Sequence, residues 1–174
     1  MSAFTDAFAV VIGNEGGYND DPNDSGNWSS GQVGVGTLDG TMYGVSAPVA
    51  RENGYTGPMR DLPLSLAQSI AKAKYWDPVH GDELPPSVAT QIFDAAYNSG
   101  DHRAERWLQQ AVGVRVDGDI GPQTLAAVAA LDPDKIVMRF DAIRLRFMAS
   151  LPIWPRYGAG WANRIADNLM RAAS

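Results

Sequence analysis

The sequence predicts a mainly helical (α+β) protein with one small glycine-rich β element near its amino terminus. From about residue 65 onward, apolar residues return every three or four positions in successive segments, as on helices with one buried face. Between about Gly16 and Ser46 the chain is instead rich in Gly, Asn and Asp, and only QVGVGTLDGTMYGV (32–45) has hairpin character. A hydrophobic fraction of 45% with 5 tryptophans is enough for a core, and 174 residues suit one domain.

The first helix is expected from about Phe4 to Asn14, with Phe4, Phe8 and Val11 on one face. Glu15 continues that face, and Gly16-Gly17 stops the helix. The 32–45 segment reads as a hairpin turning at Asp39-Gly40, a favoured type I′ pair. Residues 47–63, broken by Pro48, Gly54, Gly57, Pro58 and Pro63, read as loop or short helical turns.

Ser65 is placed to cap a helix burying Leu66, Ile70 and Ala73 and stopping near Trp76-Asp77-Pro78. Ser87 starts the next, with Val88, Ile92 and Phe93 inside and Gly100 at its end. Asp101 caps a third carrying Ala104, Leu108 and Ala111, which ends at Gly113. Within RVDGDIGPQTL (115–125), Asp119 and Gly121 set a turn and Pro122 suits the first turn of a short helix to Leu131. Asp132-Pro133 opens the longest helix, with Ile136, Phe140, Ile143, Phe147 and Leu151 on one face. Trp161, Ile165 and Leu169 mark the last.

Charge and composition exclude several classes. The net charge is −6, made of −8 over residues 1–100 and +2 over 101–174. A nucleic-acid binder would carry a strong basic stripe, and this chain does not. No stretch approaches the ~18 apolar residues of a membrane span. With no cysteine, thiol catalysis and cysteine–zinc sites are out. The GxSxG elbow, the Walker loop and the Rossmann fingerprint are missing, so no cofactor is expected. Asp21, Asn23, Ser25 and Gly26 fit the first half of an EF-hand loop, but Gln32 stands where the bidentate Glu belongs and Pro22 interrupts the run. No metal is expected.

Carboxylates carry the chemical signal. Burial against an apolar face and the negative end of a helix dipole both disfavour a charged Glu15, so the acid is expected to stay protonated nearer neutrality. A protonated acid can donate to a leaving oxygen, as in glycoside hydrolysis. Asp20, Asp21 and Asp24 follow on a polar loop, and Asp24 is the best placed to fold back over the helix end while staying hydrated. Each also suits a simple Asx turn. One shielded acid and one hydrated carboxylate form the pair that glycoside hydrolysis needs. The 5 tryptophans and 6 tyrosines include candidates for sugar stacking, although Trp107 and Trp161 sit at helical spacings that place them in the core.

Seven motifs stand in order: EGGY (15–18), PNDSG (22–26), GTMYGVS (40–46), KYWDP (74–78), IFDAAYNSG (92–100), LQQAVGVRVDGDIGPQTL (108–125) and GWANRI (160–165). Together they resemble the family 108 glycoside hydrolases, phage-type N-acetylmuramidases of the lysozyme superfamily. The resemblance implies a lysozyme-like fold over 1–174. Its parts are a catalytic helix, loop and hairpin at 1–63 and a helical lobe at 64–174, of which about 101–174 resembles a peptidoglycan-binding segment. It implies cleavage of the β-1,4 bond between N-acetylmuramic acid and N-acetylglucosamine.

Glu15 falls on the family's catalytic acid. Asp24 stands nine positions later, where related lysozymes place an Asp. Thr41 matches their Thr, with Ser29 or Ser30 as alternatives because Trp28–Asp39 resembles an insertion. Tyr43, Asp94, Tyr97 and Asn98 are the expected cleft residues, Asn98 for an acetamido group. A non-catalytic peptidoglycan-binding scaffold and a stem-peptide amidase are the rival readings. The expected partners are the glycan strands of peptidoglycan, met by a monomer. The amino terminus has no basic n-region or cleavage site. The resemblance therefore implies an endolysin made in the cytoplasm and released to the periplasm through a holin-type partner.

Overall fold

The computed structural model describes residues 2–173 except Gly16, and leaves the side chains of Asn14 and Glu15 outside the described residues. The elements run α1 (Ala3–Glu15), β1 (Thr41–Met42), β2 (Val45–Ser46), α2 (Ala47–Glu52), α3 (Leu64–Ala71), α4 (Pro86–Ser99), α5 (Asp101–Val112), α6 (Pro122–Ala129), α7 (Pro133–Ala149) and α8 (Trp154–Ala172). Two compact units contain them. One is Phe8–Ala73; the other joins Met1–Ala7 to Lys74–Ser174.

In the smaller unit, β1 and β2 pair antiparallel with Thr41 opposite Ser46 and Met42 opposite Val45. The hairpin therefore turns at Tyr43-Gly44, not at Asp39-Gly40. Tyr43 and Gly44 both have positive φ, at 53° and 73°, which the type I′ geometry requires. Asp39 and Gly40 are held elsewhere, since both their amides donate to the carbonyl of Asn27 at 2.9 Å. Pro48 sits in the first turn of α2, so the segment after the hairpin is helical at once. Helix α3 starts after Pro63 rather than at a Ser65 cap and buries Ala67, Ile70 and Ala71, while Ala73 is exposed. The shift has a cause in the next residues. Lys72–Trp76 form a π-helical turn, which rotates the face and brings Trp76 to full burial.

The larger unit packs α4 on α5 and α7, and α7 on α8. Pro86 opens α4, Gly100 ends it, and Gly113 closes α5 at φ 79°. Asp132 caps α7 by accepting from the Asp134 amide at 3.0 Å. The longest helix is α8, at 19 residues against 17 for α7. Phe4, Trp76 and Phe93 form an edge-to-face cluster with centroids 5.5–5.8 Å apart. Trp107 is buried as expected, but Trp161 is only partly covered.

The buried face of α7 is not the purely apolar stripe that periodicity suggested. It carries Asp141 and Arg144, exposed by 0% and 1%. Arg144 donates to Asp94 of α4, which also receives Arg164 Nε at 2.8 Å and Asn168 Nδ2 at 3.1 Å from α8. Asp94 is itself 0% exposed. Burial opposes its charge, and the two guanidiniums more than offset that, holding its carboxyl below the usual range. The expected sugar contact at Asp94 is therefore corrected: this carboxylate ties three helices together and has no open face.

Asp141 is different. Neither of its carboxyl oxygens has a hydrogen-bond partner among the described residues. Burial pushes its carboxyl up to about 7, with Arg144 pulling down and Asp94 pushing up. An unfolded Asp titrates near about 3.9. Between those values the folded protein keeps a proton that the unfolded chain releases. Stability contributed by this group therefore falls as pH rises from about 4 to 7, and stays lower above that. Asp141→Asn, which keeps the neutral shape, is expected to raise Tm at about pH 8 by several degrees and by little at about pH 5, read by thermal unfolding at both. Asp94→Ala should cost about 3–5 kcal/mol in denaturant unfolding, because it leaves two guanidiniums buried without their counter-ion.

Candidate active site

The candidate site is built on the loop that follows α1. Glu15 is the last residue of that helix, and its side chain lies outside the described residues. Beyond it the loop doubles back onto the hairpin. Asn19 and Thr41 exchange both backbone hydrogen bonds, at 2.9 and 2.8 Å, which adds a third short segment beside β1 and β2.

Short side chains then fold the acidic run through local bonds to the backbone. Asn19 Oδ1 accepts from the Asp21 amide at 3.0 Å, Asp21 Oδ1 from the Asn23 amide at 2.9 Å, and Asp24 Oδ1 from the Gly26 amide at 2.9 Å. Each is an Asx turn, the local device that acids and amides offer in place of helix or sheet. Asp24 thereby caps a single 3₁₀ turn at Ser25–Asn27 while its side chain stays exposed.

Asn27 anchors the whole arrangement and was not singled out from the sequence. It is 0% exposed. Its Nδ2 donates to the Asp21 carbonyl at 3.0 Å and its carbonyl accepts from Asp39 and Gly40. A lone Asn in a polar run has no periodicity to mark it as buried. The next turn is pinned by Trp28 Nε1, which donates to the Pro22 carbonyl at 2.9 Å.

This folding brings Asp24 and Thr41 to the same place. A Cβ on Gly26 would lie 3.3 Å from Asp24 Oδ1, 3.5 Å from Ser46 Cβ and 3.9 Å from Thr41 Oγ1. The carboxylate and the hydroxyl flank a glycine whose missing side chain leaves room between them. Ser29 and Ser30 are occupied elsewhere. Ser29 Oγ accepts from the Thr37 amide at 2.9 Å, and Ser30 Oγ donates to the Val35 carbonyl at 2.7 Å, both closing the loop at 28–39. Tyr43 sits at the hairpin tip.

The surrounding charges also have partners. Asp39 pairs with Arg51 at 3.2 Å, Asp20 with Arg60 at 3.2 Å, and the Arg60 guanidinium lies 3.9 Å over the Tyr18 ring. Tyr97 and Asn98 belong to α4 in the other unit. Tyr97 packs on Tyr75 and Phe93, with centroids at 4.8 and 5.8 Å. Asn98 is exposed and donates to the Asp94 carbonyl at 2.7 Å.

The sequence matches the Glycosyl hydrolase 108 family over residues 8–100 and a family described as Predicted Peptidoglycan domain over residues 103–166. A solved structure of SagA from Brucella abortus is similar at 33% identity and a TM-score of 0.81, over 98% of this chain and 93% of that one. No curated protein matches. The fold is the mainly helical, lysozyme-like one, and the protein is a glycoside hydrolase that acts on peptidoglycan. The chain belongs to glycosyl hydrolase family 108. Among the described residues no helix is long and apolar enough to cross a membrane.

Asn27→Ala removes the bond to Asp21 and the fill behind the turn. It is expected to destabilise by about 1–3 kcal/mol in urea unfolding, and to open the loop at 19–28 to limited proteolysis.

Proposed function

We propose that this protein is an N-acetylmuramidase that cuts the β-1,4 bond between N-acetylmuramic acid and N-acetylglucosamine. Glu15 protonates the leaving oxygen while positive charge develops on the sugar carbon. Asp24 stabilises that charge or orients the attacking water, and Thr41 holds the water. The observation that carries the reading is the pairing of Asp24 with Thr41 around Gly26, on the loop that leaves the helix ending in Glu15. Within the same reading, Tyr43, Tyr97 and Asn98 contact the sugar chain, and residues from about 101 onward help to hold it.

Each role in this scheme asks for a particular state of its group. The acid works only when protonated, so turnover falls as pH rises. The second carboxylate has to be reached by water or substrate, which suits the exposed position of Asp24. Its Oδ1 already accepts from the Gly26 amide, which fixes the side chain's direction and leaves Oδ2 for water or substrate. A phage or prophage endolysin, released from the cytoplasm through a holin-type partner, is the setting that this chemistry fits.

Purified sacculi provide the test. Wild-type protein is expected to clear them and release new reducing ends without new amino groups. Glu15→Gln should lose about 100-fold or more of that rate, in line with removal of a general acid, while still sedimenting with sacculi. Equal clearing by both proteins, or release of amino groups, would overturn the assignment. Gly26→Ala crowds Asp24 from 3.3 Å and is expected to lower kcat with an unchanged circular dichroism spectrum.

A further inference from the structure

The larger unit keeps three large aromatic rings at its surface, and the cleavage chemistry uses none of them. Helix α8 opens with WPRYGAGW (154–161), which places Trp154, Tyr157 and Trp161 three and four positions apart, as neighbours on the helix surface. The residues that α8 buries are Gly158, Ile165 and Asn168. Trp154 and Trp161 are partly exposed, and Tyr157 is 44% exposed.

The rings are held in place by one another and by a glycine. Trp161 stacks on Tyr157, with centroids 5.8 Å and planes 26° apart, and meets Trp154 at 6.1 Å. A Cβ on Gly158 would fall 2.5 Å from the Trp154 indole, so that ring fills the space a side chain would take. The Arg156 guanidinium lies 5.1 Å from the centroid of the Tyr157 ring and meets no carboxylate among the described residues. The indole N–H groups of Trp154 and Trp161 and the Tyr157 hydroxyl likewise have no hydrogen-bond partner among the described residues. A tryptophan of the core is treated otherwise. Trp76 is fully buried, and its indole donates to Asp82 at 3.0 Å.

We propose that Trp154, Tyr157 and Trp161 form a platform on which the larger unit stacks the N-acetylated sugars of a glycan strand. A sugar ring shows C–H groups on its faces and hydroxyls and amides around its rim, so it matches ring faces bordered by unspent donors. Tyrosine and tryptophan bind at small entropic cost because few torsions need fixing, and here the rings already brace one another. Charge points the same way. Residues 151–166 contain no acid, and Arg156 offers a cation to the carboxylates that a peptidoglycan strand carries on its lactyl groups and stems. An aromatic helix with an arginine also suits a membrane surface, but that needs a continuous stripe of large apolar residues. Here Gly158, Ala159, Gly160 and Ala162 intervene. The proposal rests on the reading of peptidoglycan as substrate and adds which residues of the larger unit grip it.

Glycan strands freed of their stem peptides are the probe, titrated calorimetrically into whole protein carrying Glu15→Gln so that they stay uncut. Tyr157→Ala and Trp161→Ala are each expected to weaken binding about 5- to 10-fold, and Tyr157→Phe, which keeps the ring, by less than about twofold. Tyr157 is exposed, so its loss is expected to move Tm little, and the affinity then reports contact rather than folding. With Glu15 restored, Tyr157→Ala should raise KM by a similar factor and leave kcat in place. No binding of strands, affinity unchanged in both alanine variants, or a fall in kcat with KM unchanged would overturn the proposal. Phosphatidylglycerol vesicles that bind as tightly as the strands, and are released by Tyr157→Ala, would assign the face to a membrane and reject it too. Failure here is separable from failure of the muramidase reading. Strand binding is read without cleavage, and new reducing ends report cleavage whether or not the platform binds.

Discussion

One buried carboxylate sets the geometry of the larger unit. Asp94 lies on α4 and receives Arg144 from α7 and Arg164 and Asn168 from α8, so a single anion fixes the rotation of three helices. Apolar packing alone tolerates small rotations of a helix about its axis, because one methyl group serves nearly as well as another. A charged hydrogen bond inside the protein does not, since its angle and length are specified and the cost of missing it is high. With Asp94 holding Arg144 and Arg164, α7 and α8 keep a fixed setting against α4.

The smaller unit is ordered by different means. Its loops are assembled from side-chain-to-backbone hydrogen bonds, with Asn19, Asp21 and Asp24 each closing a turn and buried Asn27 joining the Asp21 and Asp39-Gly40 segments. Such a loop needs little apolar area, which allows it to remain polar. It also means that the same acidic residues have two tasks, forming the turn and facing solvent, and Asp24 divides them between its two oxygens.

Where the chain repeats an apolar pattern, structure follows closely from sequence. The helices from Pro86 onward begin and end within a few residues of the positions that proline, glycine and spacing indicate, because these residues act through local backbone physics. The motifs and the Glu15-to-Asp24 spacing named the candidate residues, of which the structure sets Asp24 and Thr41 around Gly26. Three things were not legible. The hairpin turned four residues later than Asp39-Gly40 because Asn27, far back in the chain, holds both of those amides. Asp94 read as a cleft residue because the partners that bury it lie 50, 70 and 74 positions away. Trp161 looked like core because periodicity names the face of a helix but not whether another helix covers it.

The path of the chain has a consequence for its synthesis. Phe4 belongs with residues 74–174, where its ring meets Trp76 and Phe93 at 5.5 and 5.8 Å. A ribosome adding about 5–20 residues each second makes Phe93 some 4–18 s after Phe4. During that interval the intervening 8–73 segment emerges in full, and the first turn of α1 waits with its apolar face uncovered. Phe4 is thus made well before the rings that cover it, and its burial waits until Trp76 and Phe93 have followed.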